Sequence, residues 1–304
     1  MNREPFEPLR IQRASLVDQT AALSMVYAHL APADRERRIA AQGAESPTAA
    51  AEGLWVGYRG ELLAAAVLAQ ILPGKTALIS APRVAANQAA ETASQLLTPI
   101  MAQLSRDGVQ LAQALLEAEH APDALVFREL GFHYVCDLLF LVSVRGSFPQ
   151  TQPQDHLEFV SYSHALHRRL AEIVERTYAG SLDCPEIDGV RKLNDILTGY
   201  RETGVFDPAR WMIVRHQGVD VGCLLLTDHP SSNQWELIYM GVVREARGRR
   251  FGVAMARRAQ WMAGQGGHEQ LVLAVDANNA PAIAAYTAAG FVAWDHRSLF
   301  LRVL

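Results

Sequence analysis

Arginines and glycines concentrate in a short segment that follows an apolar run in the C-terminal half of the chain. Residues 247–253 read Arg-Gly-Arg-Arg-Phe-Gly-Val, with the charges on Arg247, Arg249 and Arg250. A strand that passes through such a turn into a helix presents backbone N–H groups and the positive end of the helix dipole to an anion. Guanidinium groups add donors that fit phosphate oxygens. The segment therefore indicates a diphosphate site; the alternative is a solvated basic face on an ordinary helix.

An asparagine and a tyrosine follow a second apolar run. Asn279 and Tyr286 have i, i+7 spacing, which places the amide and the phenol on one face of a helix. A tyrosine hydroxyl, with a pKa of about 10 in water, can protonate a departing thiolate. The alternative is a core tyrosine whose hydroxyl reaches water.

A carboxylate stands at the start of the first apolar run. In a strand, Glu236 shares a face with Ile238 and Met240, because side chains alternate with a period of two. Partial burial would raise the pKa of the carboxyl group and suit it to act as a general base, directly or through water. The alternative is a solvating residue on an edge strand.

The elements that must position these side chains can be read from local signals. Residues 236–243 predict a strand, and helical spacing starts at Gly252. A second strand is predicted at 271–275. Pro281 suits the first turn of a following helix, and Gly290 suits the left-handed cap that ends it.

These segments resemble the two acetyl-coenzyme A (acetyl-CoA) binding motifs of the GCN5-related N-acetyltransferase (GNAT) superfamily. The matching residues are Val242, Arg247, Arg250 and Gly252 in the first motif, and Asn279, Ala282, Tyr286, Gly290 and Phe291 in the second. One departure is Arg250, which stands where the family usually has glycine. The resemblance implies that the first motif binds the pyrophosphate and that Tyr286 protonates the thiolate of coenzyme A.

The residues and the resemblance together give a set of candidate site residues. The catalytic candidates are Tyr286 as acid and Glu236 as base. The cofactor-binding candidates are Met240, Gly241, Val242, Arg247, Gly248, Arg249, Arg250, Phe251, Gly252, Val253, Asn279, Ala282 and Tyr286. The acceptor-site candidates are Tyr178, Asp183, Glu186, Asp188 and Trp211. Their carboxylates would attract an amine, although an acidic loop can equally be explained by solubility. No metal site is predicted.

Length and composition limit the remaining possibilities. A chain of 304 residues, half of them hydrophobic, is long enough for two domains. A net charge of −4 argues against a general nucleic-acid or anionic-membrane binder. Cys136, Cys184 and Cys223 are too few and too scattered for a disulfide framework or a CxxC metal site. The expected location is the cytoplasm.

An internal repeat relates the two halves. The segment from His120 to Phe127 matches that from Asn279 to Tyr286, and Gly-Phe follows each after the same interval. We predict an α+β fold with two tandem GNAT-like domains, each a mixed, mostly antiparallel twisted sheet flanked by helices. The predicted domains are 1–145 and 157–304, joined by a linker at 146–156.

The two copies are not chemically equivalent. Phe127 replaces the phenol, and the first-copy turn at 84–93 lacks both glycine and arginine. The N-terminal domain is therefore expected to be catalytically silent. The layout is similar to that of mycothiol synthase, another tandem member of the superfamily.

The expected activity is transfer of acetyl from acetyl-CoA to a primary amine, by direct attack in a ternary complex. A small metabolite is the favoured acceptor, and no nucleic acid or membrane partner is expected. The chain is expected to be a monomer or a homodimer. Two alternatives stay open: acetylation of a protein or peptide, and a non-catalytic acyl-CoA sensor.

Overall fold

A computed structural model of the chain describes residues 7–45, 53–89, 91–154, 156–187 and 189–304. The chain divides into an N-terminal unit, Met1–Val135 with Ser298–Leu304, and a C-terminal unit, Cys136–Arg297. These units differ from the predicted domains in two places. Residues 136–156 belong to the C-terminal unit, and Ser298–Leu304 belongs to the N-terminal unit.

The first half of the chain contains seven strands and four helices among the described residues. Its strands are β1 (Arg10–Arg13), β2 (Leu54–Arg59), β3 (Leu62–Leu72), β4 (Thr76–Ile79), β5 (Arg83–Val84), β6 (Leu111–Leu116) and β7 (His133–Val144). Its helices are α1 (Gln19–Val26), α2 (Pro32–Glu45), α3 (Thr92–Arg106) and α4 (Pro122–Glu129).

The second half follows a similar order. Its strands are β8 (Leu157–Ser161), β9 (Trp211–His216), β10 (Val219–His229), β11 (Gln234–Val242), β12 (Gln270–Asp276) and β13 (Val292–Val303). Its helices are α5 (His167–Tyr178), α6 (Leu193–Glu202), α7 (Phe251–Gln265) and α8 (Ala280–Ala288). Among the helices of the described residues, none combines the length and apolar character that crossing a membrane requires.

The N-terminal unit is a mixed sheet with an apolar helix packed on it. Strands β1 to β4 pair antiparallel in sequence order, β6 runs parallel to β4, and Ser298–Val303 runs antiparallel to β6. Leu97, Ile100 and Leu104 have the helical spacing of a buried stripe, and α3 buries them in this unit's core.

The C-terminal unit repeats this pattern. Strands β8 to β11 pair antiparallel in sequence order, β12 runs parallel to β11, and residues 138–144 of β7 run antiparallel to β12. In each unit, therefore, the strand beside the parallel pair comes from the other half of the sequence. The mixed sheet flanked by helices confirms the predicted fold class.

The repeated sequence motif also folds in the same way in both units. The rings of Phe127 and Phe132 lie edge to face with centroids 5.0 Å apart, and those of Tyr286 and Phe291 do so at 5.6 Å. The glycine before Phe132, Gly131, has a φ of 79°, and the glycine before Phe291, Gly290, has a φ of 93°. This confirms the left-handed cap predicted at Gly290.

Candidate active site

The C-terminal unit contains a cavity where its two parallel strands separate. Strands β11 and β12 pair only between 234–236 and 270–272. Beyond this point β11 stays paired with β10 on its other side up to Val242. The cavity of about 860 Å³ is lined by the separated parts of both strands and by residues of α7 and α8. The unpaired edge of β11 offers backbone groups to an extended ligand, as an exposed sheet edge does to an added strand.

Small residues keep the space between the strands and helices open. Gly252 lines the cavity at the start of α7. A Cβ atom at this position would lie 3.4 Å from the Cβ of Ala285 and 3.9 Å from the Cε of Met240, which is ordinary contact. A methyl group therefore fits, whereas a longer side chain would have to extend into the cavity.

The turn before α7 contains two residues with left-handed backbone. Gly248 has a φ of 78°, and Arg250, at the N-cap of α7, has a φ of 61° and a ψ of 17°. This left-handed conformation explains why the family usually has glycine at the position of Arg250, because other residues adopt it at a cost of about 1–2 kcal/mol. Backbone N–H groups in the first turn of a helix have no intrahelical acceptor, and residues 250–253 line the cavity.

The three arginines of the turn have different surroundings. Arg247 lines the cavity, but its guanidinium donates hydrogen bonds to the carbonyl oxygens of Thr177 at 2.8 Å, Gly180 at 2.6 Å and Val242 at 3.1 Å. These bonds hold the C-terminal end of α5 and the following loop against β11. Arg247 thus acts first as a brace of the cavity wall, a role that its position in the motif did not predict.

Arg249 and Arg250 also differ from each other. The guanidinium of Arg249 lies 4.8 Å from the ring centroid of Phe251 and is not among the residues that line the cavity. Arg250 lines it. Among the described residues of the turn, Arg250 and the backbone N–H groups thus provide positive potential that faces the cavity. Arg247 also lines the cavity, but its guanidinium is already bonded to backbone carbonyl oxygens.

Tyr286 points from α8 into the same cavity. The residue is 5% exposed, and its ring packs edge to face on Phe291. Burial, with a smaller contribution from the charge of Asp183, raises the pKa of the Tyr286 phenol above its usual value. The phenol therefore stays protonated at neutral pH and keeps a proton available for a group beside it that gains negative charge during a reaction.

Asn279 has a structural role at the start of the same helix. Its side-chain oxygen accepts a hydrogen bond from the backbone N–H of Ala282 at 3.3 Å, and Pro281 lies in the first turn. An asparagine at this position satisfies one of the N–H groups that a helix start leaves without a partner. The cap fixes the start of α8 and thereby the position of Tyr286 two turns later.

A loop after α5 brings a carboxylate to the cavity. Gly180, Ser181, Leu182 and Asp183 all line it. The Asp183 carboxylate accepts a hydrogen bond from the backbone N–H of Asp276, at the end of β12, at 3.1 Å. A negative charge is therefore held in the same cavity as the phenol.

Most of the site residues predicted from the sequence line the cavity, and some do not. Those lining the cavity are Met240, Gly241, Val242, Arg247, Gly248, Arg250, Phe251, Gly252, Val253, Asn279, Ala282, Tyr286 and Asp183. Glu236 does not line it; its carboxylate lies 2.8 Å from Nε2 of His229 and is about one-third exposed. Asp188 lies outside the described residues.

Three acceptor-site candidates do not line the cavity. Trp211 is 2% exposed and lies in the core with Tyr162 and Phe206, because its large apolar ring is more stable away from water. Tyr178 packs edge to face on Tyr239, and Glu186 is exposed. Of the predicted acceptor residues that the structure describes, only Asp183 lines the cavity.

Sequence reasoning also missed part of the lining. The additional residues include Thr177, Gly180, Ser181, Leu182, Ala285 and Arg257. The alanines of α8 gave no signal, because alanine is an ordinary helix residue. Thr177 and Gly180 are held at the site because their carbonyl oxygens accept hydrogen bonds from Arg247, which is distant in sequence.

Comparison with known proteins finds a family match in the C-terminal half of the chain. Residues 174–291 match the acetyltransferase (GNAT) family. This segment contains the cavity's phenol, the arginine-containing turn and the loop that carries Asp183. Among curated proteins, no relative matches the sequence.

Solved structures share the fold at low sequence identity. A GCN5-related N-acetyltransferase from Sphaerobacter thermophilus is 16% identical with a TM-score of 0.64, over 98% of this chain and 96% of that one. A tandem GNAT protein from the clavulanic acid biosynthesis pathway is 14% identical with a TM-score of 0.54, over 97% and 98%. A glucosamine N-acetyltransferase region of a fungal multi-domain protein is 13% identical with a TM-score of 0.66, over 97% of this chain but 38% of that one. These similarities confirm the GNAT fold, whereas the similarity to mycothiol synthase stays a prediction.

Proposed function

Because residues 174–291 match the acetyltransferase (GNAT) family, we propose that the chain is an acetyl-CoA-dependent N-acetyltransferase that acts on a small primary amine. One observation carries the proposal: the first turn of α7, the unpaired edge of β11, Tyr286 and Asp183 line one cavity. The family supports acyl transfer, and the choice of acetyl-CoA and of an amine rests on the chemistry of these groups.

The cavity fits the parts of acetyl-CoA in order along β11. The turn at 247–253 and the positive end of α7 suit the diphosphate. Residues 237–242, unpaired toward β12, suit the amide groups of the pantetheine arm. When bound, acetyl-CoA supplies an acetyl group activated as a thioester.

The chain's own residues then position protons. Tyr286 holds its phenolic proton in a buried site and delivers it to the sulfur that leaves. Asp183 provides a negative charge that orients an ammonium group before it loses its proton. The N-terminal unit has Phe127 in place of the phenol, so we place the reaction in the C-terminal unit alone.

The proton lost by the amine has two candidate acceptors. Asp183 lines the cavity, whereas Glu236, the base predicted from the sequence, lies outside the lining and is bound to His229. Glu236 acts as the base only if a water chain or the histidine connects it to the amine. Comparing Asp183→Asn with Glu236→Gln identifies which carboxylate is the base. Loss of the base lowers kcat, whereas loss of a carboxylate that only binds the ammonium group mainly raises KM.

The acceptor is tested by measuring release of the coenzyme A thiol from acetyl-CoA with a panel of amines. The panel contains amino sugars such as glucosamine, polyamines, amino acids and peptides. We expect turnover with at least one small cationic amine, and a KM for it that rises about tenfold or more in Asp183→Asn. Arg168→Ala is the control, because Arg168 is exposed and pairs only with its helical neighbour Glu172 among the contacts described.

The alternatives correspond to other outcomes of the same assay. Turnover only with peptides would indicate a protein or peptide acetyltransferase. Saturable binding of acetyl-CoA without turnover on any amine would indicate a sensor.

A further inference from the structure

Two cysteines that are distant in sequence meet beside the cavity. The Sγ atoms of Cys136, in β7, and Cys184, in the loop after Asp183, lie 3.0 Å apart across a sequence separation of 48. Both residues are buried, with exposed fractions of 2% and 7%. The sequence analysis found the cysteines too few and too scattered for a disulfide framework or a CxxC metal site. Cys136 and Cys184 come together because β7 pairs with β12 in the C-terminal unit, which no local sequence pattern indicates.

Asp276 is the third group at this place, and together the three could hold a metal ion. Its carboxylate, however, already accepts hydrogen bonds from the backbone N–H groups of Cys184 at 3.1 Å and Asn278 at 2.8 Å. Two thiolates bound to one zinc ion at about 2.3 Å in a tetrahedron would lie roughly 3.7 Å apart. The observed separation of 3.0 Å is shorter than this, so the two sulfurs would have to move apart to bind zinc, whereas a disulfide bond of about 2.05 Å would bring them closer together.

We propose that Cys136 and Cys184 are a modification site at which a reversible disulfide bond fixes the wall of the cavity. The bond joins β7 to the loop whose residues 180–183 line the cavity. The loop is already under conformational constraint, because Cys184 has a left-handed backbone with a φ of 44°. The proposal rests on this geometry and does not depend on the identity of the acceptor.

A hydroperoxide is the oxidant, and hydrogen peroxide is its simplest form. One thiolate attacks the peroxide oxygen, which gives a sulfenic acid and water after proton transfer. The second thiol then attacks the sulfenic sulfur, forms the S–S bond and releases a second water. Two thiols and one peroxide thus give one disulfide and two waters, and a dithiol reductant reverses the reaction by exchange.

Burial controls the rate of this reaction. The hydrogen bond with Cys136, and then burial, raise the pKa of the Cys184 thiol, so little thiolate is present at neutral pH. Because both thiols are also buried, we expect only a small oxidant to react with them and the oxidation to be slow.

The test treats the purified wild-type protein with hydrogen peroxide, denatures it, alkylates free thiols and maps the peptides by mass spectrometry. We expect a loss of two hydrogens, a crosslink between the peptides that contain Cys136 and Cys184, and alkylation of Cys223 alone. Cys223 is the matched control, because it is buried and its thiol contacts the backbone of Gly241 and no second sulfur among the contacts described. The crosslink should be absent in Cys136→Ala, in Cys184→Ala and after reduction.

The oxidised protein should also be more stable. Closing a loop of this length is expected to raise the Tm of the C-terminal unit by about 5–10 °C over the reduced form. Three alkylated cysteines after oxidation, or a crosslink that involves Cys223 or a second chain, would overturn the proposal. So would stoichiometric binding of zinc that protects both thiols from alkylation in the reduced protein.

Discussion

Replacing Tyr286 by phenylalanine is expected to lower kcat by at least about 10²-fold. The change removes the proton donor for the leaving sulfur but keeps the ring that packs on Phe291. Cofactor binding should be retained, with a Kd for acetyl-CoA within about twofold of the wild-type value. Steady-state kinetics with the best acceptor and a direct binding titration measure the two quantities.

A matched tyrosine controls for loss of a hydroxyl group. Tyr162→Phe removes a hydroxyl that contacts Nδ1 of His167 at 3.2 Å in the same unit, away from the cavity. Its kcat should equal that of the wild type. Because burial raises the pKa of Tyr286, the phenol keeps its proton as the pH rises, and no loss of kcat from its ionisation is expected up to about pH 10. An unchanged kcat in Tyr286→Phe would remove this residue from the mechanism.

Filling the cavity at Gly252 should abolish binding without unfolding the protein. In Gly252→Leu the Cβ atom makes ordinary contact with Ala285, and the rest of the side chain must extend into the space between Ala285 and Met240. We expect the Kd for acetyl-CoA to rise by at least about 100-fold, because the loss of close backbone contact and the added bulk act together. The Tm should stay close to that of the wild type, since leucine is a better helix former than glycine.

Two further glycine variants distinguish bulk from loss of flexibility. Gly252→Ala adds only a methyl group, so it should raise the Tm slightly and weaken binding much less than leucine does. Gly146→Leu places the same side chain elsewhere in the C-terminal unit, where a Cβ atom has no neighbour within 4 Å. Its binding should match the wild type. A large fall in Tm in Gly252→Leu would show that position 252 supports packing and not a ligand.

Local signals predicted the elements of the site well. Asn279 caps the start of α8, Pro281 lies in its first turn, and Gly290 ends it with a left-handed backbone. Each of these roles depends only on residues nearby in the sequence. The strand and the helix around the arginine turn likewise follow from periodicity alone. The internal repeat predicted two similar copies, and each copy has a helix that ends at a glycine with left-handed backbone and an edge-to-face pair of aromatic rings.

Long-range contacts could not be read from the sequence. Arg247 matches a phosphate-binding motif, but its partners include the carbonyls of Thr177 and Gly180, which no local pattern connects to it. The position of Ser298–Leu304 in the N-terminal unit similarly depends on strand pairing.

Side-chain type was also a poor guide to exposure. Trp211 is one of the acceptor-site candidates from the sequence, yet it lies in the core, as hydrophobic burial favours for an aromatic ring. Among the acidic residues of the preceding loop, Asp183 could not be distinguished from Glu186 by composition. The hydrogen bond from the backbone of Asp276 is what brings Asp183 to the cavity.

The central claim is that acetyl-CoA binds in the cavity of the C-terminal unit, and calorimetric titration of the wild-type protein tests it most directly. Saturable binding of one acetyl-CoA per chain, lost in Gly252→Leu and kept in Tyr286→Phe, is the predicted result. Absence of binding to the wild type, or binding that Gly252→Leu leaves intact, would contradict it.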